Sequence, residues 1–294
     1  MFFISKVDLN LKFYSAGELP YWMGSSFRGG FGSNLRSIVC YKLDLDCEHC
    51  DILNDCLFYH LYMRQKEKKG YAPPIKPIII IPPFFGEKIY LKDNGFLKLE
   101  ILFIGDFKKY LPHAILVFSK LGERGIGGLR HYGLNKFYIN NIADHFTQRI
   151  IYDENTIYPE NLSIIESDKL INHFNNIIKI AFKTPYSSTE FPLHPEKFIE
   201  GIRRRAIFFE NEYGTDTNVP APKFKGSILE YTTHFHRLER RSIRSDKTEF
   251  KGYTGVVTYK FEDVDTTTRW LITLGNIIGG GPDSSFGMGF FNII

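Results

Sequence analysis

The chain has 294 residues, 37 of them basic and 33 acidic, for a formal net charge of +4. Hydrophobic residues make up 43% and charged residues 24%, the proportions of a folded globular protein of one large or two ordinary domains. No run approaches the roughly eighteen apolar residues a membrane span needs, and so small an excess of charge points to an anionic partner only where basic residues cluster.

The opening MFFISKVDLNLKFY alternates apolar and polar residues and puts Val7, Leu9, Leu11 and Phe13 on one face of a strand over residues 2–14. It has neither the basic leader nor the long apolar core of a signal peptide, so a cytoplasmic location and no membrane partner are expected. Phe27, Phe31, Leu35 and Ile38 recur at helical spacing and predict a helix from about Gly24 to Cys40, despite its glycines.

All four cysteines follow at once, in CYKLDLDCEHCDILNDC: Cys40, Cys47, Cys50 and Cys56. In a chain expected to be cytoplasmic, thiols gathered in one loop argue for a structural metal centre rather than disulfides. A tetrahedral sulfur site suits zinc or an iron–sulfur cluster. His49 and His60 are possible replacements for one ligand, and reduced free thiols are the plainer alternative.

KPIIII and LKLEILFI read as strands, KYLPHAILVFSKLGE as a helix and NKFYI as a strand after the turn GERGIGGLRHYG. Strand–helix–strand–strand–helix–strand is the ferredoxin-like pattern. It lapses near residues 142–150, which sets the expected domains at 1–145 and 146–294. The second half repeats the order: IIKIAFKTP, then the helix HPEKFIEGIRRRAIFFENEYG, then SILEYTTHFHRLE and YTGVVTYKFE, then VDTTTRWLITLGNII and the closing strand GFFNII. The expected fold is therefore α+β, two tandem ferredoxin-like (RRM-like) domains with a Gly-rich loop at residues 279–289. That loop runs into a strand and has no lysine, so it is not a phosphate loop of the nucleotide-binding kind.

Three stretches resemble one family, the CRISPR-associated endoribonucleases of the RAMP superfamily that process precursor CRISPR RNA. They are LPYWMGSSFRGGFGSNLR, the cysteine loop after it, and RLERRSIRSDKTEFKGYTGVVTYKF followed by LGNIIGGGPDSSFGMGFF. The resemblance implies that CRISPR repeat RNA is the partner, with other Cas proteins of an effector complex as further candidates. It implies cleavage without catalytic metal, the RNA's own 2′-hydroxyl attacking the adjacent phosphate to leave a 2′,3′-cyclic phosphate. It further implies that the Gly-rich loop, with Ser284, Ser285, Gly287 and Gly289, brings its backbone close to RNA. Relatives of this branch often carry His-x-Gly-Lys-Gly in this loop; here the His and Lys places are Gly279 and Pro282.

Proton transfer must then come from elsewhere. His234 and His236 in THFHRLERR share one strand face and titrate near neutral pH. Arg237, Arg240, Arg241 and Arg244 follow and could neutralise phosphate charge. Arg28 stands where the family pattern has an arginine and is a further candidate, with His131 in second line. Arg203 and Arg204 on the helix HPEKFIEGIRRRAIFFENEYG are expected to face an RNA backbone. Two other readings stay open: a RAMP subunit that holds CRISPR RNA without cutting it, and a metal-clipped module that binds a protein.

Overall fold

The computed structural model describes residues 1–44, 47–64, 75–170, 174–215, 218–239 and 249–294. The chain divides into two compact units, residues 5–82 with 87–163, and residues 1–4 with 83–86 and 164–294.

The first unit is built on β1 (Phe3–Phe13), β2 (Gly17–Leu19), α1 (Gly24–Val39), β3 (Ile78–Ile81), β4 (Ile89–Leu91), β5 (Phe96–Ile104), α2 (Leu111–Arg124), β6 (Phe137–Asp144), β7 (Ile150–Asp153) and β8 (Thr156–Ile157). Val7, Leu9, Leu11 and Phe13 are fully buried, as strict alternation along β1 requires. Phe27 and Phe31 of α1 pack their rings against Phe118 of α2, at centroid distances of 6.2 and 5.7 Å. Two glycines of α1 have a packing reason: a Cβ on Gly30 would stand 2.7 Å from Leu121 and one on Gly32 2.7 Å from Tyr62, whereas Gly29 faces open space. The sheet runs β3-β5-β1-β6-β7-β8, with β1 and β6 antiparallel from Val7↔Asp144 to Phe13↔Phe137. Taking the four principal strands in chain order, that is 2-3-1-4, the ferredoxin-like winding. β7 and β8 extend the same sheet, so the chain stays with this unit through residues 150–157.

In the second unit β9 (Ile165–Glu166) pairs with Phe3 and Ile4. There follow β10 (Ile177–Tyr186), α3 (Pro195–Tyr213), β11 (Lys225–Glu239), β12 (Glu249–Glu262), α4 (Thr266–Ile278) and β13 (Phe291–Ile293). The order β11-β12-β10-β13 is again 2-3-1-4, all antiparallel. Phe182, Phe198, Tyr259 and Phe291 fill the space between helices and sheet. Asp265 caps α4 through the Thr268 N–H at 2.7 Å. The α+β class and the tandem ferredoxin-like architecture expected from the sequence are thus the observed fold. Among the described residues no helix is long and apolar enough to cross a membrane.

Candidate functional site

The second unit carries most of the polar chemistry on one long hairpin, β11–β12. β11 is an edge strand, so a side chain on it has a neighbour strand on one side only. His234 and His236 lie two residues apart and share a face, opposite Thr254 and Gly252 of β12. His236 is half-buried. Its Nε2 is 2.7 Å from the Thr254 hydroxyl, and its ring stands edge-on to Phe84 at 4.8 Å. Burial first, and the charge of neighbouring His234 second, push the His236 pKa below its ordinary value. That shift favours the neutral imidazole, the form that accepts a proton.

On the other face of the hairpin the aromatics form a ladder. Phe235 packs on its cross-strand partner Tyr253 at 5.1 Å, and Tyr253 stacks on Phe191 at 5.3 Å with an interplanar angle of 6°. Phe235 is 48% exposed and Tyr231, four positions earlier, 54%, so rings are available to a planar ligand. Arg237 extends the same face, exposed, with Glu249 at 3.9 Å. Arg240, Arg241 and Arg244 lie outside the described residues.

The Gly-rich loop reaches this hairpin. Phe286 packs on Phe250 at 4.8 Å, and Phe250 pairs with Leu238, next to Arg237. Ser284 and Ser285 form the half-buried turn before Phe286, and Asp283 accepts from the Ser187 hydroxyl at 3.2 Å. The loop's backbone freedom is used inside the fold. Gly289 has φ +77°, and a Cβ there would stand 2.0 Å from the Gly280 carbonyl oxygen. Gly280 N–H closes the loop on the Gly289 carbonyl at 2.9 Å, and Gly289 N–H bonds to Pro185. Gly287, also left-handed, and Gly289 are both buried.

Under the loop sits a residue the sequence reading passed over. Arg205 is 3% exposed, and none of its guanidinium nitrogens has a hydrogen-bond partner among the described residues. It lies over the rings of Phe209 and Phe290 at 5.4 and 5.3 Å, and burial pushes its pKa down to about 9. Tyr186, pushed up to about 12 by burial, shares this pocket of packing. The three consecutive arginines of α3 therefore have three environments. Arg203 donates to the carbonyls of Pro220 and Val219, both at 3.0 Å; Arg204 is exposed beside Glu200; Arg205 is interior.

In the first unit Arg28 of α1 places its guanidinium 4.9 Å from the centre of the Tyr62 ring, and the Tyr62 hydroxyl donates to the Arg28 carbonyl at 2.9 Å. Those contacts seat the stem of α1. His131 is exposed in a short turn. Also unread in the sequence is buried Asp8, which accepts from His145 at 2.7 Å and Lys98 at 2.6 Å. Burial alone would raise its pKa, but the His145 and Lys98 partners outweigh it and hold the carboxyl below the usual range. The four cysteines, half-buried and reduced, line one cavity together with Val39 and Phe58.

The family models decide the kinship: the AF_1859 N-terminal domain matches residues 2–166 and the AF_1859 C-terminal domain residues 178–293. The chain belongs to the AF_1859 family. An uncharacterized protein of Archaeoglobus fulgidus is 38% identical to it over 277 residues, covering 94% of this chain and 93% of that one. Among solved structures, Thermus thermophilus Cas6 is similar with a TM-score of 0.52 at 14% identity, over 100% of this chain and 99% of that chain. A Cas6 product complex gives 0.51 at 15% identity over 99% of each chain. A partial Cas6-RT-Cas1–Cas2 complex gives 0.55 at 10% identity, over 100% of this chain and 46% of that one. At such identities the shared property is the fold.

Proposed function

We propose that this AF_1859-family protein binds CRISPR repeat RNA on the β11–β12 hairpin and the adjoining Gly-rich loop, and cuts precursor CRISPR RNA there. The observation that carries the reading is the concentration on one hairpin of two adjacent histidines, exposed stacking rings and an arginine, in a fold shared end to end with Cas6. Exposed rings accept unpaired bases, and arginines hold the phosphates between them.

Cleavage by the RNA's own 2′-hydroxyl needs a base for that proton, an acid for the departing 5′-oxygen and positive charge at the phosphate. Neutral His236 serves as the base and exposed His234, in its protonated form, as the acid. The 2′-oxygen bonds to phosphorus, the phosphorus–5′-oxygen bond breaks, and the products are a 2′,3′-cyclic phosphate and a 5′-hydroxyl. The test is to incubate the protein with repeat RNA in excess chelator and identify the ends. Cyclic phosphate at one position within the repeat is the expected result. Intact RNA that nevertheless co-elutes with the protein would replace cleavage by the second reading, a RAMP subunit that holds CRISPR RNA for an effector complex. Gly279 and Pro282, standing where relatives carry His and Lys, favour that alternative.

A further inference from the structure

Between the end of α1 and Leu57 the chain makes a long excursion with almost no apolar core of its own. Its two short 3-10 turns, Cys47–His49 and Leu53–Asp55, bury no residue. Cys47 and Cys56 touch the core with their half-buried side chains, and the chain is fully buried again at Leu57, Phe58 and Leu61, which are 3, 4 and 3% exposed. Excursions of this kind in a compact domain need a reason to keep a fixed course.

What converges in it is sulfur. Cys40, Cys47, Cys50 and Cys56 line one cavity, and neither His49 nor His60 does. The Cys50 N–H donates to the Cys47 carbonyl at 3.1 Å, which folds the Cys-x2-Cys pair into a tight turn, and a second turn brings Cys56 N–H to Leu53 at 3.3 Å. Two of the thiols are turned to local oxygens, Cys40 to the Lys42 carbonyl at 3.3 Å and Cys50 to the Asp51 carboxylate at 3.9 Å. Accordingly, no three His, Cys, Asp or Glu side chains among the described residues already stand as a finished metal-ligating group.

The surroundings are prepared for negative charge. The Nε of Arg36 is buried with no hydrogen-bond partner among the described residues, while its Nη2 is used by the Leu43 carbonyl at 2.8 Å. Lys42 lines the cavity with the four cysteines, and the Arg36 guanidinium lies 5.7 Å from the ring centre of Phe58, which lines it too. A guanidinium N–H left over beside a cysteine is the donor that a metal-bound thiolate accepts from.

We propose that Cys40, Cys47, Cys50 and Cys56 together hold one zinc ion, a structural clip that fixes the excursion between α1 and Leu57. Four thiolates on zinc form a closed tetrahedral site with no open position, so its part is in folding rather than in reaction. Loading transfers the thiol protons to solvent and leaves a centre of net charge −2, which Arg36 and Lys42 face.

The test uses the whole protein purified without oxygen or added metal. One equivalent of zinc by elemental analysis is expected, with the four thiols protected from a thiol reagent until a chelator is added. Stripped wild-type protein should take back one equivalent of zinc and regain that protection. Cys47→Ser should lose the metal and become cleavable by protease within residues 40–56, whereas Asp51→Asn should keep both metal and resistance. Four freely reacting thiols with no metal would overturn the proposal, as would disulfides. A brown protein containing iron and inorganic sulfide would overturn the zinc assignment. None of these readouts depends on whether RNA is bound or cut.

Discussion

The Nε2 atom of His236 lies 2.7 Å from the Thr254 hydroxyl, across the hairpin that also holds His234. Desolvation of the ring and the nearby His234 both disfavour its protonated form. An NMR titration should therefore place the His236 midpoint below 6.5, the ordinary histidine value, and His234→Gln should move it upward. The sign for stability follows: the unfolded chain binds this proton more readily, so stability is full above the unfolded value and falls as pH drops toward the folded one. His236→Ala should also slow single-turnover cleavage by about a hundred- to ten-thousand-fold with repeat binding preserved. Wild-type rates in His234→Ala, His236→Ala and the double variant would remove both residues from the reaction.

Phe235 separates stacking from folding. It is 48% exposed, so Phe235→Ala should change the melting temperature little. Loss of one base–aromatic stack typically costs about 1–3 kcal/mol in binding. Repeat RNA should accordingly bind about ten- to a hundredfold more weakly, in fluorescence anisotropy at fixed salt. Arg237→Ala should instead flatten the salt dependence, by roughly one unit of slope or less. Unchanged affinity in both variants moves the RNA off this hairpin.

A side chain at Gly289 meets two obstacles, a left-handed φ of +77° and the Gly280 carbonyl 2.0 Å from the new Cβ. Backbone strain of this type costs about 1–3 kcal/mol even without a clash. Gly289→Ala should melt several degrees lower with or without RNA. An RNA-specific defect at unchanged melting temperature would mean that the glycine serves the ligand instead.

Arg205 makes the opposite kind of forecast. A guanidinium without hydrogen bonds in a protein interior is held at a desolvation cost that stacking on Phe209 and Phe290 offsets only in part. Arg205→Met, similar in length and apolar, should fold and melt at or above the wild-type temperature. Its folded pKa of about 9 lies below the ordinary guanidinium value of the unfolded chain, so the wild-type protein should gain stability as pH rises above about 9, a gain the methionine variant lacks. A marked loss of stability in Arg205→Met would mean that the charge itself holds the loop.

Both windings were legible because their elements carry strong periodic signals. The alternation of Val7, Leu9, Leu11 and Phe13 and the helical spacing of Phe27, Phe31 and Leu35 each specify a buried face, and all seven are buried. The pairing of His234 and His236 on one face followed from the two-residue period of a strand. Arg205 could not be read, because a run of three arginines does not say which one turns inward; that depends on Phe290, far off in sequence. Phe84 beside His236 was equally hidden, since residues 83–86 pack with the second unit although the chain on either side belongs to the first. The glycines of the loop were visible, but their task depends on Tyr186 and Pro185, a hundred residues upstream.

The pairing of β10 with β13, Ile180 opposite Ile293, bears on how the protein is made. One flank of β10 has no partner until residues 291–293 have left the ribosome, whereas β1 can pair with β6 once Asp144 has emerged to meet Val7. Domains fold as units during synthesis. The first ferredoxin-like unit can therefore close while the second is still being translated, and the second must keep a bare strand edge soluble in the meantime. A ribosome stalled before residue 291 would hold a chain whose first unit can already be native and whose β10 still has one flank bare.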